Sequence, residues 1–185
     1  MEQNILFAES RQEWRNWLCS HFETEKEVWL LFPTKASGKN GVTYNDAVEE
    51  ALCFGWIDGR AGTFDDEGHI RRFTPRRKGS AYSRTNIERL ILLDGQGLIH
   101  PKVKEAVREL IYAPFEYPED IMTEIGKDDE VLKNYLSFPE AYRRIRIAYI
   151  EAARKRPDEF NRRLHNFITK TRANKMIAGY GGMKR

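Results

Sequence analysis

The chain has 185 residues, 41% of them hydrophobic, 12% aromatic and 32% charged; that is enough for one substantial domain or two small ones, and too apolar for intrinsic disorder. No apolar run approaches the roughly 20 residues of a membrane span, and MEQNILFAES lacks the basic and long apolar regions of a signal peptide, so a cytoplasmic location is expected. The net charge of +3 conceals segregation: residues 1–59, 60–89, 90–140 and 141–185 carry local balances of −5, +4, −6 and +10.

Ile5 to Ala8 read as a short strand, and Ser10-x-x-Glu13 has the spacing of a capping box opening a helix. Trp14, Trp17, Leu18 and Phe22 follow at helical spacing and are expected to face the core. Cys19 and Cys53 read as small buried apolar residues, since no CxxC or Cys/His spacing accompanies them. Val28 to Phe32, ended by Pro33, predict a buried strand. The loop Lys35 to Gly41 lacks the order of a P-loop and reads as a solvated turn able to close over a nearby site. Thr43-x-x-Asp46 caps a helix whose inner face is Tyr44, Ala47, Val48, Ala51 and Leu52, with Gly55 at its stop.

Residues 56–64 and 69–75 predict a hairpin around Asp65-Asp66-Glu67-Gly68, and a further helix starts near Ser83, with Thr85 as a second possible cap. Beyond Gly97 the pattern is helical. Pro101 opens one helix, Tyr112 to Pro118 form a linker, and Ile121 to Ile125 and Val131 to Leu136 give two short helices. Pro139 and Pro157 open two longer ones, the first with Tyr142, Ile145, Tyr149 and Ala153 inward, and Gly179 to Gly182 form a frayed tail. The fold class is α+β. A small sheet with helices over 1–97 is followed by a helical module over 98–185, expected to pack as one unit.

Chemistry concentrates between Cys53 and Asn86, where glycines, aromatics, an Asp and seven Lys or Arg residues stand in one hairpin and its exit. Strand alternation places Trp56, Asp58 and Arg60 on one face, where Asp58 can orient an arginine. On the partner strand Arg71 and Phe73 share one face, and Ile70 and Arg72 the other. The exit delivers Arg72 and Arg76 toward a helix start bearing Ser80, Ser83 and Asn86, and a helix N-terminus favours anions. The ligand-binding set is therefore Trp56, Asp58, Arg60, Arg72, Arg76, Ser80, Ser83 and Asn86, and the expected partner is a small phosphate or carboxylate. Against it stands the plain reading, in which the arginines pair with the acidic segments and the hydroxyls cap a helix.

A second basic segment, from Arg143 to Lys175, reads as the outer face of two amphipathic helices. It suits a nucleic acid, a solubilising surface, or pairing with the acidic segment 116–130. No metal or cofactor is expected, because His21, His69, His100 and His165 show no paired ligand spacing. The balance leans against an enzyme; Asp58 is the carboxylate that an enzymatic reading would use, on an anionic metabolite.

The runs Ala47 to Gly59, Arg72 to Arg76 and Ser80 to Ser83 with Asn86 closely resemble the YdeI/OmpD-associated, or bacteriocin-protection, proteins. Phe138 to Arg144, Tyr149 to Ala153, Arg162-Arg163 and Asn174-Lys175 resemble that family's helical module. Tyr82 stands where the family pattern has Trp, and Pro157 to Phe160 replace a usual Glu-Thr-Arg run. The resemblance implies a soluble protein of undefined biochemistry, linked to bacteriocin tolerance or stress. It names no protein partner.

Overall fold

The computed structural model describes residues 4–64 and 68–178. The predicted turn residues Asp65 to Glu67 and the tail from Gly179 lie outside them. The chain divides into two compact units, Met1–Tyr82 with Arg89–Ile111, and Ser83–Glu88 with Tyr112–Arg185.

The first unit is built on a four-stranded sheet of order β1-β2-β4-β3. Strand β1 (Ile5–Phe7) runs parallel to β2 (Val28–Pro33), and β4 (Gly68–Pro75) pairs antiparallel with both β2 and β3 (Trp56–Phe64). Helix α1 (Arg11–His21) lies between β1 and β2 in sequence, and α2 (Tyr44–Cys53) follows a 3-10 turn at Lys35–Ser37. Ser10 accepts from the Glu13 N–H at 3.2 Å, while the Glu13 carboxylate takes the Glu9 N–H, one residue upstream of the expected box. Thr43 caps α2 through the Asp46 N–H at 3.2 Å. Gly55 makes the turn into β3 at a φ of 72°, a left-handed value.

Alternation sorts the sheet's side chains onto two faces. Leu30 and Phe73 join Trp14, Leu18, Ala51 and Trp56 in the main core against the helices. Trp29, Leu31 and Ile70 form a smaller cluster. Helix α4 (Pro101–Tyr112) contributes Val103, Val107 and Ile111 to the main core, which is why it groups with the sheet and not with the helices after it. Leu90 and Leu93 of α3 (Arg84–Gly95) join the same core, whereas the first residues of α3 group with the second unit.

The second unit contains α5 (Glu119–Gly126), α6 (Asp129–Ser137), α7 (Glu140–Glu151) and α8 (Pro157–Arg172). Its core is Ile121, Ile125, Val131, Tyr135, Ile147 and Phe167 with their neighbours. Asp128 caps α6 through the N–H groups of Glu130 and Val131, each at 3.0 Å. The α+β class and the order of elements are therefore as the sequence predicts.

Several inward assignments differ. Cys19 is exposed because it stands one position beyond the Trp14–Leu18 stripe, while Cys53 is buried and burial pushes its thiol up to about 12, leaving it inert at neutral pH. Tyr44, the first residue of α2, is 43% exposed, and Leu136 and Tyr149 are also exposed. In α7 Tyr142 and Ile145 are buried as expected, and so is Arg146, whose Nη2 donates to the carbonyls of Ile177 and Ala178 at 2.7 Å each. The long arginine stem packs inward while Nη2 of its head is held by backbone carbonyls.

Candidate anion-binding site

A cavity of about 620 Å³ opens in the first unit where β2 ends, beside the loop into α2 and across β4. Its polar lining includes Thr34, Lys39, Thr43, Tyr44, His69 and Arg71. Phe32, Pro33, Val42 and Ile70 supply apolar wall. No Asp or Glu stands among the described residues that line it. The Thr34 hydroxyl is buried and finds no hydrogen-bond partner among them.

Local sequence explains the placement. Pro33 stops β2, and the loop from Gly38 to Gly41 carries the chain back to the Thr43 cap, which aims the start of α2 at the cavity rim. Alternation along β4 turns Arg71 to the helix side of the sheet. There its Nη1 donates to Asp58 at 3.0 Å and to the Gly59 carbonyl at 3.3 Å. The guanidinium sits 4.7 Å from the centre of the Tyr44 ring, and Tyr44 donates its own hydroxyl to Asp58 at 2.8 Å. Burial first, and the bond to Asp58 second, hold the Tyr44 phenol above its usual range, so it remains a donor at neutral pH. Arg89, buried on α3, donates to Asn45 at 3.1 Å; burial lowers its guanidinium from the ordinary value, against the pull of Glu49, Tyr44 and Asp58.

Of the eight residues the sequence singles out, six belong to the first unit, and none of them lines this cavity. Trp56 is fully buried, donates to the Phe22 carbonyl at 3.1 Å and packs edge-on against Trp17. The shared face expected for Trp56, Asp58 and Arg60 does not extend to Arg60. A bulge between Asp58 and Ala61 puts Ala61, not Arg60, opposite Arg71, and Arg60 is exposed. The arginine near Asp58 is Arg71. Arg72 lies on the other face and pairs with Glu27. Arg76 stacks 3.7 Å from the Tyr82 ring centre and donates to the Ala81 carbonyl at 2.8 Å. Ser80 is exposed, with its backbone N–H on the Arg77 carbonyl. Ser83 and Asn86 group with the second unit, where the Ser83 hydroxyl accepts the Asn86 N–H at 3.3 Å as the cap of α3.

Tyr44, His69 and Arg71 line the cavity and are absent from the ligand-binding set read from the sequence. The legible signals were the glycine-flanked Lys39 loop ahead of the Thr43 cap and the phase of Arg71 in β4.

In the second unit the basic segment meets acidic partners. Arg154 pairs with Asp120 and Glu151, and Arg172 with Asp128. Arg162 and Arg163 pair with Glu159, and Arg144 with Glu88 and Glu140. Pairing with segment 116–130, one of the three uses weighed from sequence, accounts for Arg154 and Arg172. Among the described residues no group of three or more His, Cys, Asp or Glu side chains is arranged to hold a metal ion, and no helix is long and apolar enough to cross a membrane.

Residues 6–106 match the family described as a domain of unknown function (DUF8412), over more than half of the chain. The chain belongs to the DUF8412 family. Residues 114–174 match the family described as bacteriocin-protection, YdeI or OmpD-associated, so a YdeI/OmpD-associated domain follows the DUF8412 domain. No curated protein and no solved structure matches the chain. The DUF8412 segment contains the whole cavity and also the Gly55 to Gly59 and Arg72 to Arg76 motifs. The YdeI/OmpD-associated segment covers the helical unit after the linker.

Proposed function

We propose that the DUF8412 domain binds a small anion in the cavity between the Gly38–Thr43 loop and β4, within a cytoplasmic, non-enzymatic protein that serves bacteriocin or stress tolerance. The observation that carries this reading is the lining: the Arg71 and Lys39 cations, the His69 ring and the unpartnered Thr34 hydroxyl, with no Asp or Glu among the described lining residues. Asp58 adds a second support. It stands behind Arg71 and Tyr44 and holds both by hydrogen bonds, which is how a site fixes its donors before a ligand arrives. The YdeI/OmpD-associated match supplies the link to bacteriocin protection.

Two other readings draw less support. A nucleic-acid surface would use the arginines of α7 and α8, yet Arg144, Arg154, Arg163 and Arg172 are engaged with carboxylates. An enzyme would use Asp58 as acid or base, yet that carboxylate already accepts from two side chains. Thermal melting of the full chain against phosphorylated metabolites, carboxylates and short oligonucleotides tests the proposal. A small anion at 100 times its dissociation constant adds about 2.7 kcal/mol of stability. This gain is expected for the unaltered chain and is lost in Arg71→Ala. Stabilisation by oligonucleotides alone, unchanged in Arg71→Ala, would overturn it.

A further inference from the structure

The cavity has more room and more apolar wall than a bare ion uses. Its volume of about 620 Å³ lies within the roughly 300–1,000 Å³ of pockets that enclose whole metabolites. The apolar part of the lining, the half-buried Pro33 and the small exposed edges of Phe32, Val42 and Ile70, would gain nothing from inorganic phosphate. Tyr44 offers a ring that is 43% exposed and steadied from its surroundings, by Arg71 over it at 4.7 Å and Phe32 edge-on at 6.2 Å. Such a ring is a surface for another flat ring. At the polar end, Arg71 carries a fork that suits phosphate oxygens, beside Lys39, His69 and the start of α2.

We propose that this site takes a phosphate monoester carried on a flat ring, with the phosphate toward Arg71 and the ring against Tyr44. The inference rests on the reading that the cavity binds anions at all. Titration calorimetry of the full chain with inorganic phosphate, ethyl phosphate, phenyl phosphate and benzoate separates the two claims. Phenyl phosphate is expected to bind at least about tenfold more tightly than ethyl phosphate or inorganic phosphate, and more tightly than benzoate. That preference for phenyl over ethyl is expected to survive in Tyr44→Phe and to vanish in Tyr44→Leu. Equal affinity for phenyl phosphate, ethyl phosphate and inorganic phosphate would overturn the ring and leave the anion site standing. Benzoate binding more tightly than phenyl phosphate would overturn the phosphate. Absence of heat with all four would overturn the anion site itself. Should Tyr44→Leu unfold, the order of affinities in the unaltered chain decides alone.

Discussion

Asp58 accepts from Tyr44 at 2.8 Å and from Arg71 at 3.0 Å, and both donors line the cavity while Asp58 does not. Its role in the account is to position, so its loss should act through Arg71. Asp58→Asn keeps the size of the side chain and weakens the charge-assisted bond, and ligand affinity is expected to fall by about 1 kcal/mol with little change in melting temperature. Arg71→Ala removes the guanidinium and should cost more than Asp58→Asn in the same titration. An affinity that falls with Asp58→Asn but not with Arg71→Ala would reverse this order of roles. Asp58 was legible from sequence because it is an isolated carboxylate in a glycine-flanked strand whose hairpin partner and exit carry the arginines. Trp56 carried the same signal and proves to be core, since an indole N–H on the Phe22 carbonyl lets a tryptophan be buried completely. Residue type marked the neighbourhood, and only the fold separated the two roles.

At the scale of elements, turns and caps decide what faces the cavity. Gly55 turns the chain from α2 into β3 at a φ of 72°, and a Cβ there would meet Val103 Cγ2 at 3.3 Å. Gly55→Ala is therefore expected to destabilise the first unit by about 1–2 kcal/mol, read as a shift in the denaturation midpoint. In the second unit, the N–H of Val131 and then Arg172 hold the Asp128 carboxyl below its ordinary range. A depressed folded value contributes stability that is fully present above the unfolded value of 3.8 and is lost as pH falls through the folded one. The melting temperature of Asp128→Ala should thus lie below that of the unaltered chain near pH 6, and the gap should narrow as pH falls below 3.8. A gap that stays constant with pH would show that the charge is idle. Strand phase was legible for β4, where Arg71 and Phe73 alternate with Ile70 and Arg72, but not for β2, which is apolar from Val28 to Phe32 and marks no face. It was not legible past Asp58 in β3, because Gly59 carries no side chain to mark a face and the bulge after it slips the register by one.

Across the whole molecule, each unit contains a carboxylate shut away from water between two arginines. Glu50, 2% exposed, is held by Arg11 and Arg15 in the first unit, and Glu88, also 2% exposed, by Arg84 and Arg144 in the second. Glu50 and its arginines all lie in the acidic segment 1–59, whereas Glu88 engages one arginine from each basic segment, which leaves those segments less available than their charge suggests. Removing one carboxylate takes a buried partner from two arginines at once, although Arg11 keeps Asp46 and Glu49, Arg15 keeps the Leu98 carbonyl and Arg144 keeps Glu140. Glu50→Ala and Glu88→Ala are each expected to cost about 2 kcal/mol in chemical denaturation. A cost below about 0.5 kcal/mol would place both among ordinary surface pairs. Composition could reveal the segregation but not the partners, since Glu50 and Arg11 are 39 residues apart and Glu88 and Arg144 are 56 apart.

The central claim is the location of the anion site, and amide chemical-shift mapping with phenyl phosphate tests it most directly. The account predicts saturable shifts at Gly38, Gly41, Thr43, Tyr44, His69 and Arg71, abolished in Arg71→Ala. Shifts centred instead on Arg60, Arg72, Arg76 and Ser80, or on the arginines of α7 and α8, would contradict it.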